Sequence, residues 1–240
     1  MRRARRQAAV GAFVRALLCA ATIVAAAPVA SLAARPAPGE REGLALLDSI
    51  ESANRDLTDL SARFTETTFM PLFEDSVVAR GEILFQKPGR LLLRYGAPDS
   101  SLLVVNAKTV WLHQPSQRQA HRFVLSEEST VFGLLLGFGG SFEEAKKHFT
   151  FLADGSSAKR GERTLRAVPR PGSRAAEDLE EILLTVDRAR RWLPLRTRFR
   201  EVGGDERLFA FGDFRRNDRQ PASCFEFTPP AGTEVFDMGK

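Results

Sequence analysis

Cysteine is nearly absent from this chain of 240 residues, which contains only Cys19 and Cys224. Cys19 lies in an N-terminal stretch that has the features of a cleaved export signal, so we expect the exported chain to keep Cys224 alone. A single cysteine forms no internal disulfide, which excludes a small domain held together by disulfides. It also excludes a zinc site built on paired cysteines.

Motifs of common enzyme classes are missing as well. The sequence contains no Gly-x-Ser-x-Gly elbow, no His-Glu-x-x-His pair and no phosphate-binding loop. Its three histidines, His113, His121 and His148, are scattered, and two of them without a third ligand make a poor metal site. We therefore expect no enzymatic activity, no cofactor and no bound metal.

Aromatic residues with a polar group are also scarce, because one tyrosine and two tryptophans stand against 18 phenylalanines. Tyrosine and tryptophan need a hydrogen-bond partner when they are buried, whereas phenylalanine does not. The interior is therefore suited to hydrocarbon. Composition alone leaves open whether these phenylalanines fill a solid core or line a cavity.

An excess of basic residues gives the chain a net charge of +5, but the excess is confined to the N-terminus. Five of the 35 lysines and arginines lie in residues 1–34, which contain no acidic residue, so 30 basic residues face 30 acidic ones in the remainder. The remainder is neutral, and nothing in this balance calls for contacts to phosphate groups. We expect no nucleic-acid partner.

The N-terminus has the layout of a secretory signal peptide. An arginine-rich start is followed by apolar residues 10–27 and then by small residues up to 34. A membrane anchor is the alternative, but Arg15 leaves an apolar run shorter than the ~20 residues of a spanning helix. We predict a signal peptide over residues 1–34, cleaved between 30 and 34, a single domain over residues 35–240, and a periplasmic location.

Hydrophobic periodicity after the signal predicts one helix followed by many strands. Leu44, Leu47 and Ile50 recur at helical spacing within residues 40–54. Beyond Leu57 the period changes to two, and turn residues separate the runs, which is typical of an antiparallel meander. The predicted strands are residues 64–69, 77–86, 91–95, 102–106, 109–114, 118–125, 149–154, 164–169, 181–187, 193–201, 207–214 and 224–228.

One segment between these strands is apolar on every side. Residues 131–138 include Val131, Phe132 and Leu135, and we expect them to be buried. Ser141 and Glu144 then form a capping box, which predicts a short helix that ends near residue 148.

Several short motifs resemble those of the LolA-type outer-membrane lipoprotein carriers. The stretches 85–91 and 103–115 look like the family's central hairpins, residues 60–66 are similar to its passage from helix to first strand, and residues 227–235 match its C-terminal signature. The resemblance spans about residues 40 to 236. Two positions depart from the family, which has Arg-Pro where this chain has Lys87-Pro88, and an aromatic residue where it has Leu91.

The resemblance implies a mainly β fold with a few helices, an unclosed antiparallel β-barrel whose helical lid covers an apolar cavity. It implies a monomeric carrier that shields lipoprotein acyl chains between an inner-membrane release transporter and an outer-membrane acceptor. The predicted cavity residues are Ile83, Phe85, Leu91, Leu93, Phe199, Phe209 and Phe211. The predicted lid consists of Leu44, Leu47, Ile50, Val131, Phe132 and Leu135, with Lys87 holding it in place of the family's arginine.

Two other functions stay open at this stage. Lys87 and Leu91 allow a carrier of the same fold for another lipid, such as a glycolipid or a polyene lipid. A lipid-sensing regulator is a third class, but such a protein normally has a further domain and the sequence stops five residues after Val235.

Overall fold

The fold is dominated by one open β-sheet of twelve strands. The computed structural model describes residues 38–106, 109–124, 142–155, 159 and 161–238. The helices are α1 (Pro38–Ala53), α2 (Phe142–His148) and α3 (Ala175–Asp178). The strands are β1 (Asp59–Met70), β2 (Asp75–Gln86), β3 (Arg90–Tyr95), β4 (Leu102–Asn106), β5 (Thr109–Gln114), β6 (Gln119–Val124), β7 (Phe149–Asp154), β8 (Glu162–Pro169), β9 (Leu179–Asp187), β10 (Leu193–Glu201), β11 (Glu206–Arg216) and β12 (Glu234–Asp237).

Neighbouring strands in the sheet are mostly neighbours in sequence. The order is β12-β6-β5-β4-β3-β2-β1-β11-β10-β9-β8-β7, and every pair is antiparallel except β12 with β6. The two outermost strands are β12 and β7, so the sheet does not close on itself. This confirms the predicted unclosed antiparallel barrel.

The last predicted strand is wrong. Residues 224–228 form no strand; they comprise the end of a short 3-10 turn at Ala222–Phe225 and the residues after it, and they lie on the outside of the sheet. Phe225 is fully buried there against Leu92 and Val104, and the ring of Phe227 lies 5.5 Å from that of Trp111. Alternation in this segment therefore reflects side-chain packing on the outer face, and the true last strand is β12.

The two faces of the sheet differ sharply in polarity. Along β1, alternate residues from Leu60 to Met70 are buried, while the intervening side chains are more exposed. The buried apolar positions belong to one large apolar cluster that draws on eleven strands and on the helices α1 and α2. We call the face that carries this cluster the inner face.

Helix α1 packs on this inner face at the β7 side of the sheet. It approaches closely because Gly43 has no side chain. A Cβ atom at Gly43 would lie 2.5 Å from the carbonyl oxygen of Phe151 in β7. A glycine at this position therefore lets the helix backbone rest directly on the backbone of the strand.

Some predicted features lie outside the described residues. These are the signal peptide, the buried segment 131–138 and the helix cap at Ser141. The helix after Ser141 is present as α2. Of the helices in the described ranges, none is both long enough and apolar enough to cross a membrane.

The contact at Gly43 predicts the effect of a single methyl group. We expect Gly43→Ala to destabilise the protein by about 1–3 kcal/mol, because the added Cβ meets backbone atoms that have no rotamer with which to yield. Chemical denaturation measures the change in the free energy of unfolding. Gly39→Ala in the same helix is the matched control, since a Cβ there meets nothing within 4 Å. Equal stability of the two variants would contradict this packing.

Candidate functional site

The seven predicted cavity residues all lie on the inner face. Each of them is at most 7% exposed, and all belong to the large apolar cluster. They are Ile83 and Phe85 from β2, Leu91 and Leu93 from β3, Phe199 from β10, and Phe209 and Phe211 from β11.

These residues form two groups within the sheet. On one side, Phe85 pairs with Leu91 and Ile83 pairs with Leu93 across β2 and β3. On the other side, the ring of Phe209 lies 6.0 Å from that of Phe199 and 6.1 Å from that of Phe211. Strand β1 separates the two groups in the sheet order.

Strand β1 supplies the apolar residues that join the groups, and sequence reasoning missed them. Leu60 pairs with Phe85 and Ala62 with Ile83, while Phe64 pairs with Phe211 on the other side. The ring of Phe64 also lies 5.7 Å from that of Phe209. Alternation from residue 60 onward is the signal that could have identified these positions, since they share one face of the strand.

The described part of the predicted lid is helix α1. Leu47 and Ile50 are buried in the apolar cluster, and Leu44 packs against it while partly exposed. The helix thus contributes one apolar stripe to the same interior as the sheet. Val131, Phe132 and Leu135 lie outside the described residues.

Lys87 lies at the end of α1, immediately after β2. Its Nζ donates a hydrogen bond of 3.1 Å to the carbonyl oxygen of Asn54, the residue that follows the last residue of α1. Its backbone N–H donates to the carbonyl oxygen of Thr58 at 2.8 Å. The ammonium is therefore close to the C-terminal carbonyls of the helix, where the helix dipole favours positive charge.

Two arginines from other turns contact the same loop. Arg216 Nη1 donates to Asn54 Oδ1 at 2.6 Å, and its Nη2 donates to Asp56 Oδ1 at 3.1 Å. Arg191 also donates to the carboxylate of Asp56, at 3.3 and 3.4 Å. We call Asn54, Asp56, Lys87, Arg191 and Arg216 the latch, because they connect the end of α1 to three separate parts of the sheet. Both arginines were missed because arginine-rich turns normally indicate solvated loops.

A second polar group lies further along the inner face. It consists of Glu66 and Thr68 from β1, Tyr95 from β3, Glu201 from β10 and Arg207 from β11, which together we call the polar cluster. Glu66 and Arg207 are only 3% and 1% exposed. Arg207 Nε lies 2.9 Å from Glu201 Oε1, and the hydroxyl of Tyr95 donates to Glu66. The cluster thus brings two carboxyl groups to one guanidinium in a buried place.

Burial raises the pKa of Glu66 above the ordinary value for glutamate, although Arg207 and the hydrogen bonds from Tyr95 and Thr68 lower it. Burial likewise raises the pKa of Glu201, again against the effect of Arg207. The pKa of Tyr95 is raised by burial and by the neighbouring Glu66. One guanidinium therefore does not fully compensate the desolvation of the two carboxylates.

The raised pKa of Glu66 predicts a pH-dependent effect of its replacement. The folded protein holds this proton more tightly than the unfolded chain, so wild-type stability is lost as pH rises from the unfolded pKa through the folded one. Gln does not titrate. We expect the unfolding free energy of Glu66→Gln, relative to the wild type, to increase from about pH 4 upward in urea denaturation.

Glu82→Gln is the control for this measurement, because Glu82 is an exposed carboxyl on the outer face of β2. The difference in unfolding free energy between Glu82→Gln and the wild type gives the effect of removing one surface charge. A difference for Glu66→Gln that stays constant, or falls, with rising pH would contradict the raised pKa.

Known proteins share both the sequence pattern and the fold. A family model described as "Outer membrane lipoprotein carrier protein LolA" matches residues 55–228. An outer-membrane lipoprotein carrier protein of Bordetella avium is 25% identical over 227 residues, which cover 94% of this chain and 99% of the relative. One from Aeromonas salmonicida is 27% identical over 199 residues, which cover 80% and 90%.

A solved structure supports the fold alone. An uncharacterized conserved protein from Thermus thermophilus superposes with a TM-score of 0.51 at 14% identity, over 82% of this chain and 99% of its own. The family match covers well over half of the sequence. Its span includes Asp56, Lys87, Arg191 and Arg216 of the latch and most of the inner face. The chain therefore belongs to the LolA family of outer membrane lipoprotein carrier proteins.

Proposed function

We propose that this protein is a periplasmic carrier that shields the acyl chains of lipoproteins and moves them from the inner to the outer membrane. The observation that carries the proposal is the continuous apolar inner face of an open sheet, covered at one side by an amphipathic helix. Phenylalanine and leucine dominate this surface, and both pack against hydrocarbon without leaving a polar group unsatisfied.

The energetics of acyl chains require a shield of this kind. Each buried methylene group contributes ~0.8 kcal/mol, so lipid chains leave a membrane for water only at a large cost. An apolar inner face offsets most of that cost during passage through the periplasm. The apolar side chains of the inner face are buried in the described part of the chain, so we expect cargo to enter when α1 moves away from the sheet.

The latch suits such a movement because its contacts are polar and partly exposed. The side chains of Asp56 and Arg191 are 58% and 57% exposed. Exposed ion pairs of this type contribute about 0–1 kcal/mol each. A few buried methylene groups of the cargo therefore outweigh the cost of opening the latch, so α1 opens to admit cargo and closes over it without any loss of sheet structure.

The proposed carrier exchanges its cargo with two membrane partners. The protein acts as a monomer without enzymatic activity, receives cargo from an inner-membrane release transporter and delivers it to an outer-membrane acceptor. The names of the relatives support lipoprotein as the cargo of those proteins. Mass spectrometry of material that co-purifies with the protein from its own periplasm separates lipoprotein from another lipid.

A charge on the inner face tests whether acyl chains bind there. We expect Phe209→Glu to weaken binding of a fluorescent fatty acid at least ten-fold, because Phe209 is fully buried and a carboxylate among hydrocarbon is strongly penalised. Fluorescence titration measures the dissociation constant, and circular dichroism checks that the variant is folded. Phe211→Gln is a milder second variant at the same surface, with 7% exposure in the parent residue.

Ala210→Glu is the matched control, because this exposed residue lies between the two phenylalanines and faces the opposite side of β11. It introduces the same charge on the same strand, and we expect binding to be unchanged. If folded Phe209→Glu and Phe211→Gln bind as tightly as Ala210→Glu, the inner face is not the acyl-binding surface and the carrier proposal fails.

Lys87 provides a test of release. We expect Lys87→Ala to speed transfer of a pyrene-labelled fatty acid from the loaded protein to phospholipid vesicles about five-fold, since it removes one hydrogen bond of ~1 kcal/mol from the latch. Lys87→Arg adds donors at the same place and is expected to slow the transfer. Stopped-flow fluorescence measures both rates.

Lys147→Ala on α2 is the control for loss of a lysine, because that side chain is 66% exposed and pairs locally with Glu144. Its transfer rate is expected to equal that of the wild type. Transfer rates for both Lys87 variants that match this control would show that Lys87 is an ordinary turn residue.

A further inference from the structure

The polar cluster continues the same face that carries the apolar residues. Each of its four larger members is separated by two positions from an apolar inner-face residue of its own strand. Because side chains alternate along a strand, all four point to the same side of the sheet as those apolar residues. The pairs are Phe64 with Glu66, Leu93 with Tyr95, Phe209 with Arg207, and Phe199 with Glu201. The inner face thus changes from hydrocarbon to polar groups toward one end of β1.

Glu66 has an oxygen without a partner at this place. The hydroxyls of Thr68 and Tyr95 are its hydrogen-bond donors, with Thr68 at 3.5 Å from Oε1, but Oε2 accepts no hydrogen bond from any residue in the described ranges. The side chain is only 3% exposed. A buried acceptor without a donor is costly, and such atoms in native structures commonly have a water, an ion or a functional partner.

The charges around this oxygen determine which ligand fits. An anionic group is repelled by the carboxyl groups of Glu66 and Glu201, and by Asp99, which also raises the pKa of Glu66. A cationic group is repelled by Arg207, which is buried beside them. A neutral hydroxyl avoids both repulsions, because it donates to Glu66 without bringing a net charge into a low-dielectric place.

The inner face next to Glu66 is not fully covered. On β2, Ala79 pairs with Glu66 and Val77 pairs with Thr68, and both keep intermediate exposure although their partners are buried. A group that approaches from the β2 side therefore reaches the polar cluster before it reaches the apolar cluster.

We propose that the polar cluster binds a hydroxyl group near the polar end of an acyl cargo, with Glu66 Oε2 as the acceptor. The proposal deepens the carrier function above and rests on it. The hydrocarbon tail of the cargo then lies on the phenylalanine- and leucine-rich part of the inner face. Hydroxylated acyl chains are selected over plain chains because only they satisfy the buried oxygen.

Competition between neutral probes tests this selection. Methyl tetradecanoate and its analogue with a hydroxyl group near the ester displace a fluorescent fatty acid from the purified exported protein, and neither brings a carboxylate to the polar cluster. We expect the hydroxylated ester to bind about ten-fold tighter, which corresponds to one hydrogen bond to a charged acceptor. An isomer with its hydroxyl near the far end of the chain is expected to show no gain, because the hydroxyl then lies among hydrocarbon.

Two variants locate the selection at Glu66. Glu66→Met keeps a similar volume without an acceptor, so we expect it to bind both esters equally while plain-chain affinity is retained. Glu66→Gln keeps the shape and one acceptor oxygen. Its preference for the hydroxylated ester is expected to lie between those of the wild type and Glu66→Met. Glu66→Gln is the variant to measure if Glu66→Met does not fold. Thermal melting followed by circular dichroism verifies folding in each case.

The outcomes separate the two proposals. If neither ester binds the wild type, the carrier function and the hydroxyl site both fail. If both esters bind with equal affinity, the carrier function stands and the hydroxyl site is overturned, with Glu66 Oε2 then being a site for water. A preference that persists in the folded Glu66 variants also overturns the site, because the hydroxyl is then recognised elsewhere.

Discussion

The structure depends on keeping an apolar face of an open sheet away from water. A closed barrel would hide this face within itself, but here β7 and β12 are left unpaired with each other and the inner face needs a cover. Helix α1 provides part of that cover with Leu44, Leu47 and Ile50. Gly43 brings the helix backbone onto β7, and this close approach lets the apolar stripe reach the phenylalanines below.

The cover is held by two kinds of interaction with different consequences for function. Apolar packing of Leu47 and Ile50 is strong, and it is equally well satisfied by acyl chains, since hydrocarbon contacts have no direction. The latch is directional but weak, because the carboxylate of Asp56 and the guanidinium of Arg191 are exposed to water. Acyl chains of the cargo therefore compete for apolar packing with Leu47 and Ile50. The weaker contacts of the latch determine the closed position of the helix.

Sequence periodicity identified eleven of the twelve strands because a two-residue alternation is a local property of the chain. It failed at the C-terminus, where Phe225 and Phe227 alternate like residues of a strand but pack on the outer face against Leu92, Val104 and Trp111. The true last strand pairs with β6, more than a hundred residues earlier, and no local pattern encodes such a partner. The pairing of β1 with β11 is equally non-local, although it brings the two halves of the inner face together.

The same reasoning explains which site residues could be found. Phe199 was recognisable because it is flanked by arginines in β10, and Phe209 and Phe211 because they lie two residues apart in β11. Lys87 was recognised through the family resemblance. Glu66 and Arg207 escaped notice, since a charged residue within a strand normally indicates the solvent side. Only the three-dimensional register shows that both belong to the inner face.

The two polar groups lie at opposite ends of β1, and this gives the inner face a direction. The latch contacts the start of the strand near Asp59, whereas Glu66 lies seven residues further on, about 24 Å away at the rise of an extended strand. One leaflet of a bilayer has a hydrocarbon thickness of about 15 Å, so an acyl chain fits between the polar cluster and the latch. In the proposed orientation the polar end of the cargo lies at Glu66 and the tail extends toward Leu47 and Ile50. The tail then lies beneath the helix residues nearest the latch, so the opening of the latch is coupled to the entry and release of cargo.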